Sequence, residues 1–314
     1  MIEVKNLTKF FGAKKAVDNI SFKVEKGEIL GFLGPNGAGK STSMRMITGF
    51  IPPSAGTAVI GGFDIVNDAI SARAKIGYLP ENAPVYPDMT VSGYLGFCAE
   101  IRGFYGINRG RKVDEAIEKC FLTDVKFQSV STLSKGFKQR VCFAQSIIHD
   151  PEYLILDEPT DGLDPNQKHE VRLMIRKMSS EKAIILSTHI LDEVDAVCTR
   201  AMIIANGKVV ADDTPSGLRA RSKVHGAVSL TLDNFGPDSD QGKLVSCVQQ
   251  TAGVRETRIL EQDASQLKIM VFPDSPDLVI ADQVMNVLSS NNYNVKSIFV
   301  EQGRLDEVFR TITS

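Results

Sequence analysis

The sequence predicts an α/β fold built on a largely parallel sheet, interrupted by a helical insertion and followed by a smaller α+β unit. Three observations predict it. Short apolar runs (EILGFL at Glu28–Leu33, YLILDE at Tyr153–Glu158, AIIL at Ala183–Leu186) alternate with stretches of helical spacing, the pattern of strands buried on both faces. From about Thr90 to Val125 the spacing turns helical, and VDEAIEKCFL places apolar residues at i, i+3, i+4 and i+7. Beyond a composition shift at Ser222–Gly226 the elements run strand, helix, strand, strand, helix, strand, with a last helix added.

Taken in order, Met1–Phe11 alternates weakly, as an opening strand should, and Ile20–Val24 reads as a second strand. Lys26–Gly27 then turns the chain into the strand Glu28–Leu33. That strand ends in GPNGAGKS at Gly34–Ser41 and passes into the helical SMRMITGF, which Pro52, Pro53 and Ser54 close. TAVIGG and KIGYLP read as further strands. YLILDEP and AIILSTH are strands again, each beside a helical segment. In the C-terminal part AVSLTL, VRETRIL, QLKIMVF and VKSIFVE are strands, and QGKLVSCVQQ, DLVIADQVMNVLSS and LDEVFRTIT are helices. This β-α-β-β-α-β order is the ferredoxin-like arrangement. The expected domains are 1–222, with the helical insertion at about 84–146, and 223–314.

Composition excludes several classes. At 314 residues the chain buries a sizeable core without disulfide or metal staples. Lys plus Arg is 36 against 38 Asp plus Glu, so no basic field supports nucleic-acid binding. No apolar run approaches the ~18 residues of a membrane span, and the start lacks the features of a signal peptide. The five cysteines are widely spaced and free of CxxC pairs, so reduced thiols are expected and not a zinc site.

Two motifs carry chemistry. Gly34–Ser41 fits G-x-x-x-x-G-K-[ST] in full, between an apolar strand and a helix. In such a loop, here Gly34, Pro35, Asn36, Gly37, Ala38 and Gly39, the glycines let the backbone N–H groups turn around phosphate oxygens. Lys40 would neutralise the β- and γ-phosphates, and the hydroxyl of Ser41 would ligate Mg²⁺, with Thr42 next in the helix. The second motif, YLILDE, puts two carboxylates at the end of a buried strand, where a cation is the natural counter-charge. Asp157 is the expected Mg²⁺ partner, and Glu158 the general base that polarises an attacking water.

Leu133–Phe137, LSKGF, about two dozen residues before the acids, resembles the LSGGQ signature of ABC-type ATPases. The first ~220 residues resemble that family in the expected order of motifs. DGLD at Asp161–Asp164 resembles its D-loop, and STH at Ser187–His189 its H-loop, which implies that His189 contacts the γ-phosphate. KFFG resembles the A-loop, which places Phe11 where an aromatic stacks on adenine. IGYLPE resembles the Q-loop, but Glu81 stands where most members have glutamine. The carboxylate is expected to ligate Mg²⁺, although it cannot donate a hydrogen bond to water. Lys135 and Phe137 also depart from the signature, whereas Ser134 and Gly136 are kept.

The resemblance implies an ATP- and Mg²⁺-dependent ATPase. It implies a head-to-tail homodimer, or a heterodimer with a related ATPase subunit, in which Ser134 and Gly136 cap the nucleotide of the opposing subunit. It further implies separate membrane permease subunits, docked at the groove after Glu81, and a cytoplasmic location on the inner face of the membrane. The C-terminal portion, ending GRLDEVFRTI, resembles the domain appended to subunits that serve ABC-2-type permeases. IGYLPENAPVY and STLSKGFKQRV resemble the subgroup associated with gliding motility and antibiotic or polysaccharide export. Two other readings stay open: a non-hydrolysing, ATP-dependent regulatory dimer, and an ABC ATPase with no transport role.

Overall fold

The computed structural model describes residues 1–82, 84–233, 235, 240–263 and 265–313. Among the described residues the chain divides into two compact units, one of Met1–Pro215 together with Ile312 and Thr313, the other Ser216–Thr311.

In chain order the first unit carries β1 (Ile2–Phe11), β2 (Lys14–Val24), β3 (Ile29–Leu33), α1 (Lys40–Ile47), β4 (Ala55–Ile60), β5 (Phe63–Asp64), α2 (Ala69–Ala74) and β6 (Ile76–Leu79). Then come α3 (Val91–Ile101), α4 (Gly106–Lys119), α5 (Lys135–Ile147), β7 (Tyr153–Asp157), α6 (Pro165–Ser179), β8 (Ala183–Thr188), α7 (Leu191–Val197), β9 (Arg200–Ala205) and β10 (Lys208–Asp213). The short helix α8 (Pro215–Arg219) follows.

Among the described residues six strands pair in the order β10-β9-β3-β8-β7-β6. Every pairing in this sheet is parallel except that of the edge strand β10. β3, β7 and β8 are buried along their whole length, and alternate side chains serve two different cores. Leu154, Leu156, Ile184 and Leu186 pack with α3, α4, α5 and α6, while Leu30, Phe32, Ile155 and Ile185 pack on the other face. Burial on both faces is why these strands read as apolar runs without polar alternation.

The second core is closed by an antiparallel sheet in the order β2-β1-β4-β5, which supplies Ile2, Val4, Leu7, Ile20 and Ile60. β1, β2 and β4 were legible as strands, whereas β5 and the separation of all four into a second sheet were not. The insertion is helical as expected, and Thr90 caps α3 by accepting from the Gly93 N–H.

The second unit holds β11 (Val228–Asp233), α9 (Gln241–Gln249), β12 (Val254–Gln262), β13 (Gln266–Pro273), α10 (Ala281–Ser290), β14 (Asn294–Val300) and, as far as Thr311, α11 (Leu305–Thr313). Its antiparallel sheet runs β12-β13-β11-β14, with Leu230, Leu232, Leu267 and Ile269 packed against Leu244, Val248, Val284 and Leu288 of α9 and α10. In this unit the boundary that departs most from the sequence reading is the start of α10, which lies at Ala281 and not at Asp277; Leu278, ahead of the helix, packs over Gly253. Among the described residues no helix is long and apolar enough to cross a membrane.

Candidate nucleotide-binding site

The site forms at the C-terminal ends of β3, β7 and β8, where ligands collect in open parallel sheets. β8 lies between β3 and β7, so the loops after all three converge. The loop after β3 carries Gly37 and Gly39 at φ of 80° and 108°, a region that glycine alone enters without strain. A Cβ on Gly39 would also stand 2.6 Å from the carbonyl oxygen of Ala16.

α1 starts at Lys40 with no side-chain cap and no acidic residue in its first turn. Its N-terminal N–H groups and the positive end of its dipole are therefore left to an anion. Lys40 is buried, and its Nζ donates to the carbonyl oxygens of Gly34 (2.7 Å) and Pro35 (3.3 Å). These bonds tie Lys40 back into the phosphate loop.

Asp157 ends β7 almost wholly buried. Its Oδ1 accepts from Ser41 Oγ (3.2 Å) and from Ser187 Oγ, whereas its Oδ2 is buried with no hydrogen-bond partner. An orphaned carboxylate oxygen beside a serine hydroxyl fits a Mg²⁺ held by one carboxylate, one hydroxyl and substrate phosphates. Among the described residues no cluster of three His, Cys, Asp or Glu side chains could hold a metal ion.

Glu158 breaks the strand with a left-handed backbone (φ 50°), an uncommon conformation for a non-glycine residue. Its N–H is fixed by Ser187, through Oγ at 3.1 Å and the carbonyl at 3.2 Å. The side chain lies between two basic groups, with Oε1 3.8 Å from Lys40 Nζ and Oε2 accepting from His189 Nδ1 at 2.9 Å. Burial pushes the Glu158 carboxyl above its ordinary value, against the pull of His189 and Lys40. Burial likewise pulls the Lys40 ammonium down, opposed by Glu158, Asp157 and Glu81. On both sides desolvation outweighs the pairing, so the pair is held at a cost.

The cleft measures about 420 Å³ and is lined by Phe11, Asn36, Gly37, Lys40, Ser41, Thr42, Glu81 and Glu158, among others. Phe11 is half exposed there, with Lys9 Nζ 5.4 Å from its ring centroid. Glu81 is exposed and lines both this cleft and an adjoining groove of about 480 Å³. Ser134 and Gly136 are absent from the cleft lining. Ser134 instead caps α5, accepting from the Phe137 N–H at 3.3 Å. The two departures in the signature have local partners: Lys135 reaches Asp161 at 3.2 Å, and the Phe137 ring takes the Arg140 guanidinium at 4.4 Å.

Sequence reasoning missed the parts played by four residues. Ser187 orients both acids, yet the β7–β8 register that pairs it with Asp157 is invisible locally. Glu193 accepts from Thr160 Oγ1, and from Thr188 Oγ1 at 2.6 Å, fixing the loops on either side. Lys14 and Ala16 line the cleft from β2.

A glycine loop on an uncapped helix, a buried lysine and two acids around an orphaned carboxylate oxygen define a P-loop nucleotide-binding protein. Comparison with known proteins narrows the class. The ABC transporter family model matches residues 17–161. The linearmycin resistance ATP-binding protein LnrL of Bacillus subtilis (strain 168) is 30% identical over 100% of this chain and 98% of its own length. A Nod factor export ATP-binding protein I of Paraburkholderia xenovorans (strain LB400) is 37% identical over 76% of this chain and 77% of its own. A solved ATP-binding subunit of an ABC transporter superposes with a TM-score of 0.64 at 30% identity, covering 70% of this chain and 92% of that one. The chain belongs to the ATP-binding proteins of ABC transporters.

Proposed function

We propose that the chain hydrolyses ATP in this cleft and powers export through separate, ABC-2-type membrane permeases. The single observation that carries the hydrolytic reading is Glu158, poised between Lys40 and His189 next to the unpartnered oxygen of Asp157. Lys40 and the first turn of α1 bind the phosphates, and Phe11 packs on the adenine. Ser41 and Asp157, with Glu81 at the rim, would hold Mg²⁺, which supplies charge neutralisation for the phosphates when bound. Glu158 accepts the proton of the attacking water, and His189 orients the carboxylate through Oε2. Glu158→Gln tests the reading, as developed in the Discussion.

Head-to-tail pairing of two copies completes the site, with Ser134 and Gly136 of one capping the nucleotide of the other. The position of Ser134 at the N-terminus of α5, outside the cleft lining of its own chain, supports this. The groove beside Glu81, with Arg45, Arg73 and Arg102 on its walls and Phe50 exposed, is the docking place for the permease. The names of the LnrL and Nod factor relatives support export. The chain would then attach peripherally to the inner face of the membrane, and the C-terminal unit acts as an accessory domain outside the chemistry.

The Glu81 carboxylate sets a specific expectation. Without metal it repels the γ-phosphate; with metal it is neutralised, and unit charges ~4 Å apart interact by about 4 kcal/mol at an effective dielectric of 20, before desolvation. Glu81→Gln should tighten metal-free ATP binding and flatten its Mg²⁺ dependence, while hydrolysis persists or rises. Nucleotide titrations of both proteins, with and without Mg²⁺, check this; superimposable curves would assign Glu81 to the permease groove alone.

A further inference from the structure

In the C-terminal unit a cavity of about 350 Å³ opens on the face of the sheet opposite α9 and α10. Its floor is Phe272 of β13, and Lys223, His225, Arg255 and Arg258 surround it. The sheet itself gathers the arginines. Arg258 lies opposite Met270, on the Phe272 face, as strict alternation requires. Arg255 would belong to the other face, but a β-bulge inserts it as the extra residue between Val254, paired with Pro273, and Glu256, paired with Phe272. Bulges re-aim side chains in this way. Both guanidinium groups thus reach the same ring, with carbons 4.8 Å (Arg258) and 5.9 Å (Arg255) from its centroid.

The charges are unevenly satisfied. Arg258 is paired with Glu256 at 2.6 Å, and the lining acid, Glu307, accepts from Ser222 Oγ at 2.5 Å. His225 donates from Nδ1 to the Gln302 carbonyl at 2.8 Å, which fixes its ring. Lys223 and Arg255 have no hydrogen bond or ion pair among the described residues, whereas Lys268 and Lys296 of the same sheet are paired with Glu261 and Asp233. Two cations of different geometry with no side-chain hydrogen bond or ion pair, converging from a loop and a strand over an aromatic floor, suit a tetrahedral dianion carried on a small organic body. A carboxylate would be satisfied by one planar arginine fork.

We infer that this cavity is a binding site for a phosphomonoester, separate from the nucleotide cleft and contacted by Lys223 and Arg255. The phosphate belongs to a free small molecule or to a lipid headgroup, and two probes separate these sources. The full-length chain, its nucleotide cleft filled with ADP, is titrated calorimetrically with glycerol 3-phosphate. In parallel, its binding is measured to phosphatidylcholine vesicles with and without phosphatidic acid. The expected result is saturable binding of one probe per chain, weakened roughly tenfold or more by Lys223→Ala and by Arg255→Ala and unchanged by Lys268→Ala. Arg255→Lys, which keeps the charge but not the fork, should fall between wild type and Arg255→Ala. Binding of glycerol 3-phosphate identifies a free ligand; binding of phosphatidic acid vesicles alone, with the same order of variants, identifies a lipid headgroup. If neither probe binds, or if all variants bind as wild type, the inference is overturned. The substituted side chains are exposed, and circular dichroism checks that each variant is folded.

Discussion

Replacing Glu158 with glutamine is expected to lower turnover by about 10²–10⁴-fold while leaving ATP binding intact. The amide keeps the shape and can still meet His189 or Lys40, but it cannot take a proton from water. Steady-state phosphate release, set beside equilibrium binding of a fluorescent ATP analogue, checks both halves. ATP should also trap this variant as a dimer, visible by light scattering. A thermal consequence follows from the raised Glu158 carboxyl. A carboxylate whose folded pKa lies above its unfolded value favours the fold when protonated and loses that contribution as pH rises through the folded pKa. Above that range the neutral amide removes the cost of the buried charge, so the nucleotide-free variant should melt no lower than wild type at pH 8. For the same reason the acid limb of wild-type turnover should lie above the ordinary glutamate value of 4.5.

Lys40→Ala should fail earlier, at binding. Lys40 is the buried cation of the phosphate loop, and its Nζ also holds the Gly34 and Pro35 carbonyls. Losing a charge-assisted contact to phosphate costs about 3 kcal/mol, roughly a hundredfold in Kd. The two variants are thus distinguished by the step they block: Glu158→Gln binds and stalls, whereas Lys40→Ala does not load. Equal ATP affinity of Lys40→Ala and wild type would remove the lysine from its role.

What was legible in the sequence was what the chain encodes locally. Gly34–Ser41 is contiguous, so its glycines, lysine and hydroxyl could be assigned from spacing alone. Asp157 and Glu158 stand out because two adjacent acids at the end of a buried strand need a cation. The meeting of Lys40, Glu158 and His189 depends on β8 lying between β3 and β7, and strand order leaves no mark on periodicity. The antiparallel sheet of β1, β2, β4 and β5 escaped for the same reason. Ser187 stood out only as the first residue of STH, and its role beside the acids appears once the register puts it opposite Asp157. In the C-terminal unit VRETRIL contains no glycine or proline, and nothing in it announces the bulge that turns Arg255 toward Phe272.

The central claim is that this cleft hydrolyses ATP despite Glu81 and the altered signature. Phosphate release by the purified wild-type chain, followed with ATP in the presence and absence of Mg²⁺, tests it most directly. The account predicts release that requires Mg²⁺ and disappears in Glu158→Gln. Binding of ATP without phosphate release, at any protein concentration that supports pairing, would contradict it and favour a non-hydrolysing regulator.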